Sequence, residues 1–171
     1  MVERKGLVTF KGNGMTLVGN EIKTGQKVPD FAVKANDGTA FKFSSIRGHP
    51  CVIVSILSVD TGICDAEMKR FNEEAVKLGN TIKILVISMD LPYSQKRWCG
   101  AAGVSNVQLY SDHQEASFGH AFGVLMKENR CLARTIFVVD KSGKLTYSQI
   151  VPEIAQAPNY DEALKAVKAV L

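Results

Sequence analysis

Two continuous runs of apolar residues, separated by a helical pattern, constrain the fold of this chain more than any other feature. They cover residues 51–57 and 82–88, and each is typical of a strand that is buried on both faces. The apolar positions between them recur at spacings of four and three, at Cys64, Met68, Phe71, Ala75 and Leu78. Gly79 ends this pattern, which predicts an amphipathic helix with a glycine cap. The segment therefore predicts a right-handed βαβ unit with parallel strands.

Shorter segments before this unit indicate additional strands. Residues 7–10 and 15–18 alternate in polarity around Gly12-Asn13-Gly14, and they predict a β-hairpin at the N-terminus. Residues 27–33 and 39–43 flank an Asp37-Gly38 turn, so a second short strand pair is expected there.

The second half of the chain adds helices and an antiparallel hairpin. The patterns predict a helix from Pro92 toward Gly100, a strand at 107–110, a helix at 115–122, a hairpin of strands 135–139 and 144–150, and a terminal helix that begins with a capping-box-like pair, Asn159 and Glu162. We therefore predict an α/β, thioredoxin-like fold: a central mixed β-sheet flanked by helices, with an extra N-terminal β-hairpin. Residues 1–171 are expected to form one domain. An open doubly wound sheet is the alternative, and the late antiparallel hairpin weighs against it.

Composition excludes several classes of protein. The chain has 171 residues, 46% of them hydrophobic, which allows a sizeable core without disulfide staples or a structural metal. The net charge of +4 is scattered among acids, so no nucleic-acid surface is expected. No apolar stretch approaches the ~18 residues of a membrane span. No signal peptide is recognisable either, and we expect a cytoplasmic protein without a membrane partner.

The four cysteines are Cys51, Cys64, Cys99 and Cys131. None is paired as Cys-x-x-Cys, and the three histidines are not clustered with them, so we expect no metal site. Cys51 opens a buried strand and is expected to be a core residue, and Cys131 is expected to be a structural or incidental thiol.

Cys64 lies in the first turn of the predicted helix, directly after a buried strand. Unpaired backbone N–H groups and the helix dipole favour a thiolate there, and the thiolate is the reactive form of cysteine. The same periodicity also fits a small apolar residue facing the core. Position alone leaves both interpretations open.

Three groups of residues carry a resemblance to a known family. They are residues 58–64 with 70–73, residues 88–92 with 96–100, and residues 132–134. The first group resembles the active-site loop of thiol peroxidases, the bacterial Tpx branch of the peroxiredoxins. The second group is similar to the resolving-cysteine helix of that branch. The N-terminal hairpin and closing helix also fit, so the resemblance covers nearly the whole chain.

The resemblance implies an atypical 2-Cys peroxidase that reduces hydrogen peroxide and organic hydroperoxides. Cys64 would be the peroxidatic cysteine, forming a sulfenic acid, and Cys99 the resolving cysteine of an intramolecular disulfide. Thr61 would hydrogen-bond the thiolate and the peroxide, and Arg134 would place a cation beside both. Thioredoxin would reduce the disulfide, no cofactor would be needed, and the protein would form a homodimer.

One position departs from the family. Its motif has a proline seven residues before the peroxidatic cysteine, where this chain has Leu57. Leucine leaves an extra backbone donor and a more flexible turn.

Two other classes of function fit parts of the sequence. A thioredoxin-like disulfide reductase would need a Cys-x-x-Cys, but Thr61 stands three residues before Cys64. A redox sensor on the same fold would oxidise once, whereas a peroxidase would turn over.

Overall fold

The computed structural model describes all 171 residues, with the βαβ unit in the middle of the fold. The elements, in chain order, are β1 (Glu3–Phe10), β2 (Asn13–Val18), β3 (Ala32–Ala35), β4 (Ala40–Lys42), β5 (Cys51–Ser55), α1 (Gly62–Leu78), β6 (Lys83–Ser88), α2 (Pro92–Ala102), β7 (Gln108–Ser111), α3 (Ser117–Ala121), β8 (Leu125–Met126), β9 (Thr135–Val139), β10 (Leu145–Ile150) and α4 (Tyr160–Lys168). Two 3-10 turns, Phe43–Ile46 and Gly79–Thr81, complete the list.

A seven-stranded mixed sheet, in the order β10-β9-β5-β6-β7-β3-β4, forms the centre of the fold. β5, β6 and β7 are parallel neighbours, and β9 pairs antiparallel with β5 from Cys51↔Val139 to Ser55↔Thr135. The predicted thioredoxin-like mixed sheet is confirmed. The doubly wound alternative is wrong, because the chain returns antiparallel at β9 and β10 instead of adding parallel strands.

Each face of the sheet carries its own apolar core. Val52 and Val54 point to the face covered by α1 and α4, against which one side of α2 also packs. Cys51 and Ile53 point to the opposite face, which is covered by α3 and the N-terminal hairpin. Side chains alternate between the two faces of a strand, so a strand between two cores must be apolar throughout. This arrangement explains the unbroken apolar runs.

The N-terminal hairpin lies in a separate three-stranded sheet, in the order β1-β2-β8. Its turn is Lys11-Gly12, one residue earlier than the Gly12–Gly14 turn that the sequence suggested, and both residues have positive φ, 51° and 81°. Two left-handed residues make the tight turn whose twist suits a hairpin. β8 is only two residues long and was not predicted.

Several predicted boundaries differ from the structure. The strand predicted at 51–57 ends at Ser55, and in the segment at 27–33 only the last residues are in β3. The helix predicted at 115–122 begins at Ser117, because Ala116 is left-handed, with φ 50°. The start of α4 is confirmed: the Asn159 side chain accepts a hydrogen bond from the Glu162 N–H at 3.1 Å.

Candidate active site

The first turn of α1 holds Cys64 where the sequence placed it. The helix begins at Gly62, Thr61 is the N-cap in extended conformation, and Cys64 is the third helical residue. The backbone N–H groups of a helix's first turn have no partner within the helix, and no side chain caps them here. The Cys64 side chain is buried, with no exposed surface.

Arg134 reaches this sulfur from the residue that immediately precedes β9. Its Nη2 donates to Cys64 Sγ at 3.2 Å and its Nε donates to the Ile154 carbonyl at 3.0 Å. A third bond joins its Nη1 to Glu67 Oε2. The side chain is only 1% exposed, so Arg134 is not part of a surface ion pair. Three hydrogen-bond partners fix the orientation of the guanidinium group, so its Nη2 is held facing the sulfur.

Glu67 is a part of the site that the sequence reasoning missed. It lies one turn after Cys64 on α1, is fully buried, and pairs with Arg134 through Oε2 while its Oε1 has no hydrogen-bond partner. Burial raises the pKa of this carboxyl to about 7, and the Arg134 guanidinium opposes that shift. The sequence did contain a signal for it, since Glu67 lies within the apolar stripe of the predicted helix. A glutamate buried there needs a cation nearby, which would have pointed to a partner such as Arg134.

The loop that leads into α1 is held by Asp90, which follows β6. Asp90 Oδ1 accepts from the Ser58 hydroxyl at 2.8 Å, and Oδ2 accepts from the Val59 N–H at 2.9 Å and the Ser88 hydroxyl at 2.6 Å. The carboxylate thus joins the loop before Cys64 to the segment that opens α2. Leu57, at the head of this loop, is half-buried and its N–H donates no hydrogen bond within the protein.

Thr61 lies beside the thiol but its hydroxyl is directed elsewhere in this structure. Its Oγ1 donates to the Ser58 carbonyl at 3.2 Å. The expected bond between this hydroxyl and the Cys64 thiolate is therefore not formed here. The hydroxyl oxygen still has lone pairs that could accept, and rotation about one side-chain bond would be needed to redirect its proton.

Cys99 is half-buried on α2 and does not touch Cys64. Both cysteines are free thiols that pack against the core on the same face of the sheet, but Cys99 Sγ accepts from Asn36 Nδ2 at 3.7 Å. The neighbouring Trp98 joins α2 to α1 through a bond from its Nε1 to Asp65 Oδ1 of 3.0 Å. The structure therefore brings Cys64 and Arg134 into contact, places Thr61 at the N-cap three residues before Cys64, and leaves Cys99 on an adjacent helix.

The remaining cysteines pack in the core on the opposite face of the sheet. Cys51 is fully buried in β5, and burial raises its pKa to about 12, which matches the core role expected of it. Cys131 is half-buried in the loop after β8, where its sulfur donates to the Asn129 carbonyl at 3.7 Å. No group of three or more His, Cys, Asp or Glu side chains is arranged to hold a metal ion. No helix is both long enough and apolar enough to cross a membrane.

The mixed sheet and the cysteine at the start of α1 define a protein of the thioredoxin-like, thiol-dependent class. A profile of the Redoxin family matches residues 23–164. The chain is 48% identical to a thiol peroxidase of Bacillus subtilis over 96% of this chain and 98% of that protein. It is 45% identical to a thiol peroxidase of Halalkalibacterium halodurans, with the same coverage. A solved peroxiredoxin-like protein from Aquifex aeolicus superposes with a TM-score of 0.90 at 37% identity, covering 98% of this chain and 99% of that one.

The chain therefore belongs to the Redoxin family, in its thiol peroxidase branch. It is a peroxiredoxin-type peroxidase, whose substrates are peroxides and whose reductant is a thiol. The resemblance seen in the sequence is confirmed, and the disulfide-reductase alternative is wrong.

Proposed function

We propose that Cys64 is the peroxidatic cysteine and that Cys99 resolves its oxidised form as an intramolecular disulfide. The observation that carries the proposal is the contact between Cys64 Sγ and Arg134 Nη2, 3.2 Å apart at the start of α1. A buried cation and a helix N-terminus both favour a thiolate over a thiol, and no other cysteine of the chain has either.

The first step is a displacement at oxygen. The Cys64 thiolate attacks one oxygen of a hydroperoxide, the O–O bond breaks, and a sulfenic acid forms. The departing oxygen takes a proton and leaves as water or an alcohol. Arg134 faces the place where negative charge moves from sulfur to oxygen, so its guanidinium stabilises both ends of the step. A rotated Thr61 hydroxyl would donate to the peroxide in the same place.

The second step forms the disulfide. The Cys99 thiolate attacks Sγ of the Cys64 sulfenic acid, the S–S bond forms, and hydroxide leaves and takes a proton to become water. A disulfide needs Cα atoms ~4.4–6.8 Å apart, and the two cysteines lie on separate helices with no contact between their sulfurs. One or both of α1 and α2 therefore unwind locally in this step.

Regeneration uses a dithiol. Thioredoxin is the reductant we propose, since it exchanges its own dithiol for the Cys64–Cys99 disulfide and leaves as a disulfide. Hydrogen peroxide and organic hydroperoxides are both proposed as substrates. The proposal also includes a homodimer and a cytoplasmic location.

Single cysteine replacements test the assignment. Cys64→Ser should abolish peroxide consumption, since an alcohol is not ionised at neutral pH. Cys99→Ser should consume one equivalent of peroxide and then stop. Cys51→Ser and Cys131→Ser are the matched controls and should turn over with thioredoxin at close to the unmodified rate. Peptide mapping after oxidation should find the Cys64–Cys99 link within one chain.

Three results would overturn the proposal. They are turnover in Cys64→Ser, a link from Cys64 to Cys131, and a link between two chains. A protein that oxidises once but is not reduced by any dithiol would instead be a sensor.

A further inference from the structure

A groove of about 410 Å³ lies beside Cys99. Cys99 of α2 lines it together with the turn that follows β3, which has Asn36 at its start. Residues 107–110, which overlap the first three residues of β7, also line it. The mechanism above uses Cys99 but assigns no part to the side chains around it.

The turn that carries Asn36 is held by its own hydrogen bonds. The Ala35 N–H donates to the Thr39 carbonyl at 2.9 Å, and the Gly38 N–H donates to the Ala35 carbonyl at 2.9 Å. Asp37 Oδ1 accepts from both the N–H and the hydroxyl of Thr39, at 2.9 and 2.7 Å. None of these bonds uses the Asn36 side chain. The turn therefore needs no amide at this position, but it holds one at a fixed place.

The Asn36 amide makes a single hydrogen bond, and that bond goes to Cys99. Its Nδ2 donates to Cys99 Sγ at 3.7 Å, and its Oδ1 is buried without any partner. Leaving one buried amide oxygen unpaired costs about 1–3 kcal/mol. The Asn36 side chain makes no hydrogen bond to the turn, and burying it leaves one oxygen unpaired. Its hydrogen bond to Cys99 Sγ is therefore the one favourable polar contact that the amide makes.

This contact matters because of how Cys99 must react. The resolving cysteine attacks as a thiolate. Burial raises the pKa of the Cys99 thiol, which works against that form, whereas the hydrogen bond from Asn36 lowers it. The other titratable groups around the groove are Asp37 in the turn, Lys96 on α2 and Tyr110 on β7. None of the three contributes to the Cys99 shift, so the amide is the contact that offsets burial.

We propose that Asn36 is a positioning residue for the resolving step: its amide hydrogen-bonds Cys99 Sγ at the groove and stabilises the Cys99 thiolate before the helix end unwinds and that thiolate attacks the oxidised Cys64. The inference rests on the proposed function, in which Cys99 is the resolving cysteine. Asn36 does not contact Cys64 or Arg134 and has no part in the first step.

Two variants distinguish the effect of the amide N–H donor from the effect of the side chain's size and shape. Asn36→Leu keeps the size of the side chain and removes the donor, and Asn36→Asp keeps the shape and places a negative charge beside the sulfur. Asn106→Leu is the matched control, because Asn106 is exposed and its side chain makes no bond to Cys99. All three are made in a Cys51→Ser, Cys131→Ser background, and thermal unfolding checks that each is folded.

The first measurement is the pH profile of iodoacetamide alkylation of Cys99, with Cys64→Ser added to the background. The profile should move to higher pH in Asn36→Leu, further in Asn36→Asp, and not at all in Asn106→Leu. The second measurement is the rate of disulfide formation after one equivalent of hydrogen peroxide, followed by quenching and intact mass. Loss of one hydrogen bond should slow this step at pH 7 about 2- to 10-fold and shift its pH profile in the same direction. The preceding consumption of peroxide should keep its rate.

An unchanged alkylation profile in both Asn36 variants, or an unchanged disulfide rate, overturns the inference while leaving the proposed function intact. Failure of the proposed function gives a different result. In that case Cys99→Ser would still form a Cys64 disulfide, whatever residue stood at 36. If Asn36→Leu fails to fold, Asn36→Ala replaces it, because alanine also removes the amide donor and adds no charge beside the sulfur.

Discussion

At the scale of single residues, the candidate site depends on one buried cation, the Arg134 guanidinium, which is shared between a thiol and a carboxyl group. Arg134 bonds to Cys64 Sγ and to Glu67, and neither side chain has any exposed surface. A guanidinium can be buried here because Glu67 compensates its charge and the Ile154 carbonyl accepts from its Nε. The same compensation weakens its effect on the thiol, so the reactivity of Cys64 depends on both partners.

Removing the cation should slow the attack of Cys64 on peroxide. Arg134→Met alone leaves Glu67 buried and unpaired, which destabilises the fold by about 3–5 kcal/mol, so the change is made together with Glu67→Gln. A charged hydrogen bond is worth about 1.5–3 kcal/mol, and about 1.4 kcal/mol corresponds to a tenfold change in rate. The second-order rate constant for hydrogen peroxide at neutral pH, measured by stopped flow, should therefore fall about 10- to 100-fold.

Glu67→Gln alone should instead speed the attack on peroxide, because it removes the negative charge that competes for Arg134. Lys77→Met is the control, since Lys77 is an exposed cation on the same helix whose partner is Glu74. A change of rate in the Lys77 variant as large as that in the Arg134 variant would mean that net charge, not the contact, sets the reactivity.

Leu57 stands where the resemblance leads us to expect a proline, and the structure gives a reason why proline would be tolerated there. The Leu57 N–H makes no hydrogen bond that proline would remove, and the preceding residue, Ile56, continues from a strand, a conformation that a following proline favours. Leu57→Pro should fold, with the free energy of unfolding changed by less than about 2 kcal/mol, mostly from the lost apolar contacts of leucine. Urea titration measures this, and a failure to fold would show that the loop depends on the leucine side chain.

At the scale of elements, α1 and α2 are fixed to each other close to both cysteines. Asp90 holds the loop before α1, and Asp65 near the start of α1 accepts from Trp98, the residue before Cys99. These bonds stabilise the separate thiols and must break, at least in part, for the disulfide to form. The reduced fold therefore resists the second step of the proposed reaction.

Weakening this link should speed disulfide formation. Asp65→Ala removes the acceptor of the Trp98 Nε1–H bond, worth about 0.5–1.5 kcal/mol, so the sulfenic acid should resolve about 2- to 10-fold faster. Lys69→Met is the control, because it removes the other partner of Asp65, a 2.8 Å ion pair, and keeps the Trp98 bond. Trp98 is the only tryptophan, so its fluorescence after a peroxide pulse follows the step directly. Slower resolution in Asp65→Ala would mean that the link aligns the cysteines instead of separating them.

The elements were also the level at which the sequence was most informative. Strands β5 and β6 could be predicted because burial between two cores requires an unbroken run of apolar residues. Helix α1 could be predicted because it buries one face, which requires apolar residues at spacings of three and four. Strand β8 could not be predicted, because two residues are too few to show the alternation of a strand. Glu67 and Asn36 escaped notice because their significance lies in contacts across 67 and 63 positions of the chain, with Arg134 and Cys99. Patterns within a short stretch of sequence give no information on contacts between residues so far apart in the chain.

At the scale of the whole molecule, the N-terminal hairpin is joined to the segment before α4 by backbone hydrogen bonds of Thr9 to Pro152 and Ile154 and by one carboxylate. Glu153, between β10 and α4, accepts from the Thr9 hydroxyl at 2.7 Å and from the N–H groups of Lys11 and Gly12 at 2.9 and 3.1 Å. It also accepts from the Ala155 N–H at 3.0 Å. The N-terminal hairpin, which has no place in the central sheet, is thereby attached to the segment that leads into the last helix.

This attachment should depend on pH in a defined direction. Hydrogen bonds from the Ala155 N–H, the Thr9 hydroxyl and the hairpin turn lower the pKa of Glu153 to about 2. An acid whose pKa is lower in the folded state stabilises the fold fully above its unfolded pKa of about 4.5. That stabilisation is lost as the pH falls through about 2. Glu153→Gln keeps the shape but presents an amide N–H₂ to backbone donors, so it should unfold at lower urea concentration than the unmodified protein at pH 6. The difference between their urea midpoints should shrink steadily from pH 4.5 to 2, and a difference that stays constant over that range would show that the charge of Glu153 does not hold the hairpin.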